Sequence, residues 1–204
     1  MHRNFYLLLL LVHILLATSF LSTIPFWVIF TISFFLLTAA AIRFANFDKK
    51  SISASNLAIA IFSGIMMYGL FSIGKMGSAF LFPNMLDEVA DLYMKIQPQL
   101  SWHFVVLFLI IIPGEELFWR GYIQKNIEAK FDNKLVAIVI SSLLYTSANL
   151  YTFNPLFLLA TFAGGVVWGT LYMWKRNIFL TILSHLVFNL FLLVLFPLFL
   201  NKGA

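Results

Sequence analysis

The stretch that decides the fold is residues 4–42, NFYLLLLLVHILLATSFLSTIPFWVIFTISFFLLTAAAI, which lies between Arg3 and Arg43 and contains no Asp, Glu, Lys or Arg. At a rise of about 1.5 Å per residue, a helix of this length measures about 58 Å, enough to cross a hydrocarbon core of about 30 Å twice. Residues 22–25 (Ser-Thr-Ile-Pro) mark the break, because proline suits the first turn of a helix. We therefore predict two membrane-spanning helices here, and we expect the first to be a retained span rather than a cleaved signal peptide.

Other long uncharged stretches follow, and each matches the length of one or two spans. The longest is long enough for two spans, with a turn at residues 154–155. The total is seven spans, so the predicted fold class is all-α, a polytopic membrane helix bundle. The uncharged stretches contain 24 residues between Lys50 and Lys75, 19 between Lys95 and Glu115, 40 between Lys134 and Lys175, and 25 between Arg176 and Lys202.

The composition excludes a water-soluble protein. Apolar residues make up 62% of the chain and charged residues 10%, whereas soluble domains contain about 45–50% and about 25%. The net charge of +5 is typical of basic loops near an anionic leaflet, so we expect the lipid bilayer and no nucleic acid as a partner. The absence of cysteine excludes a disulfide framework, a thiolate metal site and a thiol nucleophile.

The basic residues are distributed unequally between the two ends of a seven-span bundle. One end carries nine and the other three, with Arg120 set aside because it lies within a span. By the positive-inside rule, the N-terminus is cytosolic and the C-terminus lies outside. The cytosolic set is Arg3, Arg43, Lys49, Lys50, Lys125, Lys130, Lys134, Lys175 and Arg176, and the outer set is Lys75, Lys95 and Lys202.

The outer loop over residues 77–99 carries Asp87, Glu88 and Asp91 among apolar residues. This pattern fits a short helix lying on the outer interface. A solvated linker fits it equally well.

The fourth span carries three ionisable residues, which are costly inside a bilayer and by default mark a functional site. Glu116 and Arg120 are four residues apart, so they share one helix face and can pair. Glu115 projects about 100° away from Glu116. The pattern indicates one carboxylate held by the arginine and one left free as a general base. A plain salt-bridge cluster at the cytosolic end of the helix is the alternative.

The seventh span contributes His185 and Asn189, which also share one face. Both can donate hydrogen bonds to a common point, as an oxyanion site requires, although such a pair can equally join two helices. Residue counting places Glu115 and His185 within about 4 Å of the same depth in the cytosolic half of the bilayer. Asn149, near the end of the fifth span, counts to a level above them unless that helix tilts or starts below the bilayer.

With these motifs the chain resembles the CPBP family of intramembrane proteases, which includes the CAAX prenyl endoproteases and bacterial bacteriocin-processing or immunity proteins. Its Glu-Glu-x-x-x-Arg motif is met by Glu115, Glu116 and Arg120, and its His-x-x-x-Asn motif by His185 and Asn189. The resemblance implies an integral, multi-pass protein of a prokaryotic plasma membrane.

The chain departs from the family in the middle motif, Phe-x-x-x-His. Residues 145–149 read Tyr-Thr-Ser-Ala-Asn, so Asn149 stands where the family has a histidine. In the family, the first glutamate and that histidine are thought to activate water, and the last histidine and asparagine hold the oxyanion. Carried over, this implies Glu115 as the base, Glu116 with Arg120 as a structural pair, and His185 with Asn189 as oxyanion donors.

The asparagine at position 149 also affects whether the site is expected to bind a metal ion. Asn149 can orient a water molecule, but it cannot accept and return a proton at neutral pH. Catalytic zinc normally has three protein ligands, mostly histidines, and this cluster offers one histidine. We therefore expect no cofactor, although the family is often labelled as metalloproteases.

The expected function is a glutamate-dependent intramembrane endopeptidase, acting on a membrane-associated peptide or protein through a wet cavity open to the cytosolic side. One alternative is a catalytically impaired member that binds membrane peptides or serves in immunity or regulation; a small transporter is another. The resemblance covers roughly residues 101–192, the expected catalytic core. The spans within residues 1–100 are the variable part of a single membrane domain over residues 1–204.

Overall fold

The computed structural model describes residues 3–45, 47–48 and 52–199. Seven helices formed by these residues are long and apolar enough to cross a membrane. The described residues form no strand. The predicted fold class, an all-α polytopic bundle of an integral membrane protein, is confirmed.

We label the helices in chain order. A 3₁₀ turn, Leu150–Thr152, follows the sixth helix, and a π-helical segment, Phe191–Leu195, extends the last one. The helices are α1 (Arg3–Leu21), α2 (Phe26–Phe44), α3 (Ala54–Leu81), α4 (Pro83–Ile96), α5 (Ser101–Glu128), α6 (Lys134–Ala148), α7 (Pro155–Lys175) and α8 (Ile178–Leu190).

Polar side chains fix where several helices begin. The side-chain oxygens of Asn133, Asn154 and Asn177 accept backbone N–H groups in the first turns of α6, α7 and α8, at 2.9, 2.8 and 3.0 Å. Ser53 does the same for α3 at 3.2 Å. Such caps satisfy N–H groups that have no partner within the helix. Pro25 directly precedes α2, so the turn predicted at residues 22–25 is confirmed.

Helix α5 is irregular around the site. Leu107–Ile111 and Leu117–Gln124 are π-helical, and they flank a short α-helical segment, Ile112–Glu116. Pro113 explains the first irregularity, because proline lacks an N–H and its ring clashes with the carbonyl four residues earlier. Wider turns of this kind often occur at functional sites.

Glycines allow three helix pairs to approach closely. A Cβ atom on Gly165 of α7 would lie 2.8 Å from Cβ of Ser142 in α6. A Cβ on Gly114 of α5 would collide with α2, and one on Gly64 of α3 with the backbone of α8. Small residues at such crossings are the usual means of bringing membrane helices together. The pairs α2–α5 and α3–α8 therefore attach the second and third spans to helices that carry the polar motifs.

Contacts between connecting segments define two ends of the bundle. At one end, which we call the α4 end, Lys95 Nζ donates to Phe20 O at 3.0 Å and Trp27 Nε1 to Gln97 O at 3.4 Å. These contacts bring together the end of α1, the start of α2 and helix α4. The segment over residues 83–96 is thus a helix, the element that one of the two interpretations expected.

At the opposite end, which we call the basic end, an ion pair joins Lys125 to Asp48 at 3.1 Å. Tyr172 Oη donates to Asp48 Oδ2 at 3.4 Å, and Arg176 pairs with Glu128. Because these residues come from the segment after α2 and the last turns of α5 and α7, the spans alternate in direction as predicted. The side chain of Arg3 and residues Lys49, Lys50 and Lys202, which entered the charge count, lie outside the described residues.

Candidate active site

The site is centred on the carboxylate of Glu116, which is fully buried. Its Oε1 atom accepts a hydrogen bond from Arg120 Nη1 at 3.2 Å and lies 2.8 Å from His185 Nδ1. Arg120 Nη2 also donates to Gly164 O of α7 at 3.2 Å. One carboxylate thus connects α5 to α8, while its arginine connects α5 to α7. Buried charges are tolerated when they are paired in this way.

The imidazole of His185 is held on its face as well as at its edge. The Trp168 ring stacks on it with centroids 3.8 Å apart and planes 20° apart. Trp168 Nε1 in turn donates to Ser184 Oγ at 3.3 Å. With Nδ1 at Glu116 and one face against Trp168, the ring has little freedom to rotate, and this orients its Nε2 atom.

Glu115 occupies the other side of His185. Its Oε2 atom lies 3.8 Å from His185 Nε2, too far for a direct hydrogen bond. The Glu115 side chain is 14% exposed whereas that of Glu116 is fully buried, because Glu115 lines a cavity and Glu116 faces the packed interior. The structure therefore brings Glu115, Glu116, Arg120 and His185 into one cluster.

The cavity has a volume of about 460 Å³ and runs from this cluster to the α4 end. Its wall includes Leu70 of α3 and Leu159 of α7, which are exposed, so the cavity reaches the surface between these two helices. Most of the lining is apolar. The polar lining residues are Lys75, Ser78, Tyr93, Gln97, Glu115, Tyr145, Asn149, Thr161, His185 and Asn189.

Asn149 and Asn189 line the same cavity, but each uses its amide nitrogen within its own helix. Asn149 Nδ2 donates to Tyr145 O at 3.0 Å, and Asn189 Nδ2 donates to His185 O at 3.2 Å. Asn149 lies at the end of α6, on the wall of the cavity that Glu115 and His185 also line.

The direction of the cavity differs from the sequence-based expectation. A cavity open to the cytosolic side would open at the basic end, where the positive-inside count places the cytosol. Apart from the residues around Glu115 and His185, the lining residues instead come from the last turns of α3 and α8, the first turns of α2 and α7, and α4 itself, which lie at the α4 end. The expectation of an opening at the basic end is wrong, because buried side chains of α5 fill that half of the bundle.

The donors at the site do not fit a catalytic zinc ion. His185 Nδ1 is engaged by Glu116, so one ring nitrogen remains beside the carboxylate of Glu115. Within the described part of the chain, no group of three His, Asp or Glu side chains is placed to share a metal ion. The absence of a cofactor stays a prediction.

Residue-by-residue reasoning missed Trp168 and Tyr145 as parts of the site. Trp168 stacks on His185, and the Arg120 guanidinium lies 5.0 Å from the Tyr145 ring centroid and 5.5 Å from that of Trp168. The only available signal was a weak one, since a buried arginine favours aromatic faces as neighbours.

Comparison with known proteins identifies one family. Residues 97–191 match the model of the Rce1-like family, described as type II CAAX prenyl endopeptidase Rce1-like. Neither a curated protein nor a solved structure matches the chain.

Proposed function

We propose that the protein is an intramembrane endopeptidase that hydrolyses a peptide bond in a membrane-associated peptide or protein. The match of residues 97–191 to the Rce1-like family of CAAX endopeptidases supports this proposal. The observation that carries this proposal is the pairing of Glu115 Oε2 with His185 Nε2, 3.8 Å apart at the inner end of the cavity. A water molecule at about 2.8 Å from each of two such atoms fits beside them.

Glu115 is the proposed general base. Its carboxylate faces the cavity and is not used by Arg120, so it is available to accept a proton from water. The water oxygen then forms a bond to the peptide carbonyl carbon. When the C–N bond breaks, Glu115 returns the proton to the leaving amine, so no external acid or oxidant is required.

His185 is the proposed donor to the oxygen that becomes negatively charged. Oε1 of Glu116 already accepts a hydrogen bond from Arg120, so we treat it as a carboxylate oxygen. In its hydrogen bond with His185 Nδ1, the proton is therefore on the imidazole nitrogen. Nε2 is then the free ring nitrogen, and it donates to an oxyanion when it is protonated. The second N–H of the Asn189 amide is a further donor on the same wall.

Glu116, Arg120 and Trp168 are proposed as positioning residues. Glu116 fixes the tautomer and the edge of His185, Arg120 balances the buried charge, and Trp168 fixes the ring plane. This division of roles requires adjacent carboxylates with different surroundings, and neighbouring residues of a helix meet this requirement because they project about 100° apart.

The test of the proposal is Glu115→Gln. The variant keeps the size of the side chain and removes the base, so we expect hydrolysis to fall by about 10²–10⁴-fold. The readout is mass spectrometry of new peptide termini in membranes that contain the wild-type protein or the variant. Glu88→Gln, an exposed carboxylate of α4, is the matched control and should leave cleavage unchanged. Full cleavage by Glu115→Gln would refute the assignment of the base.

Asn149 favours a second candidate, a catalytically impaired member that binds membrane peptides. Its amide cannot relay a proton, and its nitrogen is bonded to its own helix. Asn149→His separates the candidates when wild-type hydrolysis is absent or weak. A large gain in hydrolysis would indicate a protease that has lost one proton carrier, whereas binding of peptide without hydrolysis in both proteins would indicate a binding protein.

A further inference from the structure

The cavity and the basic residues lie at opposite ends of the bundle, and this arrangement bears on which substrates reach the site. Helix α4 covers the cavity. Its residues Leu86, Val89 and Tyr93 line the cavity, while Asp87 and Glu88 on the same helix are exposed. The apolar side of an amphipathic helix thus closes the hollow half of the bundle, and its acidic side faces away.

Helix α4 is held in place by polar contacts to α1 and to the segment that extends α8. Lys95 donates a hydrogen bond to α1. Tyr93 Oη donates a hydrogen bond to Leu192 O at 3.4 Å. Burial raises the pKa of Tyr93 to about 12, so the phenol keeps its proton for this bond. The cavity wall is exposed at Leu70 of α3 and Leu159 of α7, which line the cavity together with α4.

The opposite half of the bundle offers no comparable path. Beyond Arg120, α5 continues with Ile123, Gln124 and Ile127, all of them buried. Gln124 Nε2 donates to Gly169 O at 3.0 Å and to Glu128 Oε1 at 3.2 Å, which fastens α5 to α7 at this level. The described residues between the site and the basic end are thus packed, and a substrate cannot reach Glu115 from there.

The charge count relates these ends to the two sides of the membrane. Of the basic residues that the structure describes, six lie at the basic end (Arg43, Lys125, Lys130, Lys134, Lys175 and Arg176) and two at the α4 end (Lys75 and Lys95). A bias of this kind places the basic end in the cytosol. The α4 end, with the opening of the cavity, then faces away from the cytosol.

We infer that the site is entered from the non-cytosolic side, and that its substrates are exported peptides or outward-facing segments of membrane proteins rather than cytosolic tails. The inference rests on the proposed endopeptidase function. It adds the side of access and hence the substrate class. The apolar lining of the cavity matches a segment with apolar side chains.

The test exploits the absence of cysteine from the sequence. Single-cysteine variants Glu88→Cys on α4 and Asp132→Cys in the loop between α5 and α6 place a thiol at exposed acidic positions of opposite ends. Thr161→Cys places one on the cavity wall. Each full-length protein, in intact cells, is treated with a small, charged, membrane-impermeant methanethiosulfonate, and in permeabilised cells as the control.

We expect Glu88→Cys and Thr161→Cys to be modified in intact cells, and Asp132→Cys only after permeabilisation. Modification of Asp132→Cys in intact cells with protection of Glu88→Cys would overturn the inference, as would a Thr161→Cys thiol that reacts only when the cytosolic side is exposed. Hydrolysis by detergent-solubilised wild-type protein and its loss in Glu115→Gln test the endopeptidase function separately, because both sides are accessible in detergent.

Discussion

The two halves of the bundle, one on each side of the Glu116–Arg120 pair, are built differently. Towards the basic end, helix α5 places buried side chains such as Phe118 and Ile123 against its neighbours. Towards the α4 end, the helices diverge around a cavity of about 460 Å³. Glu115 and Glu116 are adjacent in sequence, but Glu115 lines the cavity whereas the carboxylate of Glu116 contacts Arg120 and His185 in the packed interior.

The two adjacent buried acids differ in their surroundings. Glu116 has two charged or ionisable partners within 3.2 Å, and its side chain is inaccessible. Glu115 has one neighbour at 3.8 Å and an open cavity beside it. Substitutions in the packed half should therefore mainly affect folding, and substitutions facing the cavity should mainly affect function.

The largest effect on folding is expected for Arg120→Leu. The variant leaves the buried Glu116 carboxylate without its arginine, which should lower the free energy of unfolding by about 3–5 kcal/mol. Unfolding in mixed micelles with increasing SDS, followed by circular dichroism, measures the change. The matched control is Arg43→Leu, since Arg43 is exposed at the end of α2. Equal unfolding free energies for the two variants would contradict the role of Arg120.

The two glutamates provide the sharpest form of the comparison. Glu116→Gln replaces charged hydrogen bonds to Arg120 and His185 and should lower the free energy of unfolding by about 1.5–3 kcal/mol. Glu115→Gln removes a charge that lacks a close partner, so we expect its stability to equal that of the wild type or exceed it. The same SDS titration decides, and the reverse order of stabilities would mean that the roles of the two residues are exchanged.

The sequence predicted the spans and the pairing within α5 because both depend on local rules. Uncharged length defines a span, and a spacing of four residues places Glu116 and Arg120 on one face. The sequence pattern predicted Arg120 as the only partner of Glu116, whereas Glu116 Oε1 also contacts His185 Nδ1. A contact between residues 69 positions apart depends on how the helices assemble, which periodicity does not encode.

The position of the cavity was not predictable from the sequence for a related reason. Its apolar lining residues, such as Phe71, Leu107 and Phe188, are of the same types as those buried in the packed half. In a membrane protein, lipid-facing, core and cavity positions are all apolar, so composition does not separate them. The stacking of Trp168 on His185 was missed because tryptophan is also a common packing residue.

Packing between α6 and α7 gives a smaller test. Gly165→Ala places a Cβ 2.8 Å from Cβ and 3.0 Å from Cα of Ser142, so one helix must move. Overpacking of this kind costs about 1–3 kcal/mol. Gly69→Ala is the control, since a Cβ there meets no atom within 4 Å and alanine favours a helix by up to about 1 kcal/mol over glycine. A Gly165→Ala protein as stable as Gly69→Ala would indicate that the α6–α7 crossing is loose.

The smallest effect is expected at the periphery of the packed half, at the ion pair between Asp48 and Lys125. Both side chains are about one-third exposed, 34% and 28%, so solvent screens their attraction. A double-mutant cycle with Asp48→Asn and Lys125→Gln removes other effects of each substitution, and its coupling free energy should be about 0.2–1 kcal/mol. The cycle is measured by the same SDS unfolding. A coupling as large as the loss expected for Arg120→Leu would mean that charge pairing at the basic end, rather than buried contacts around Glu116, holds this half together.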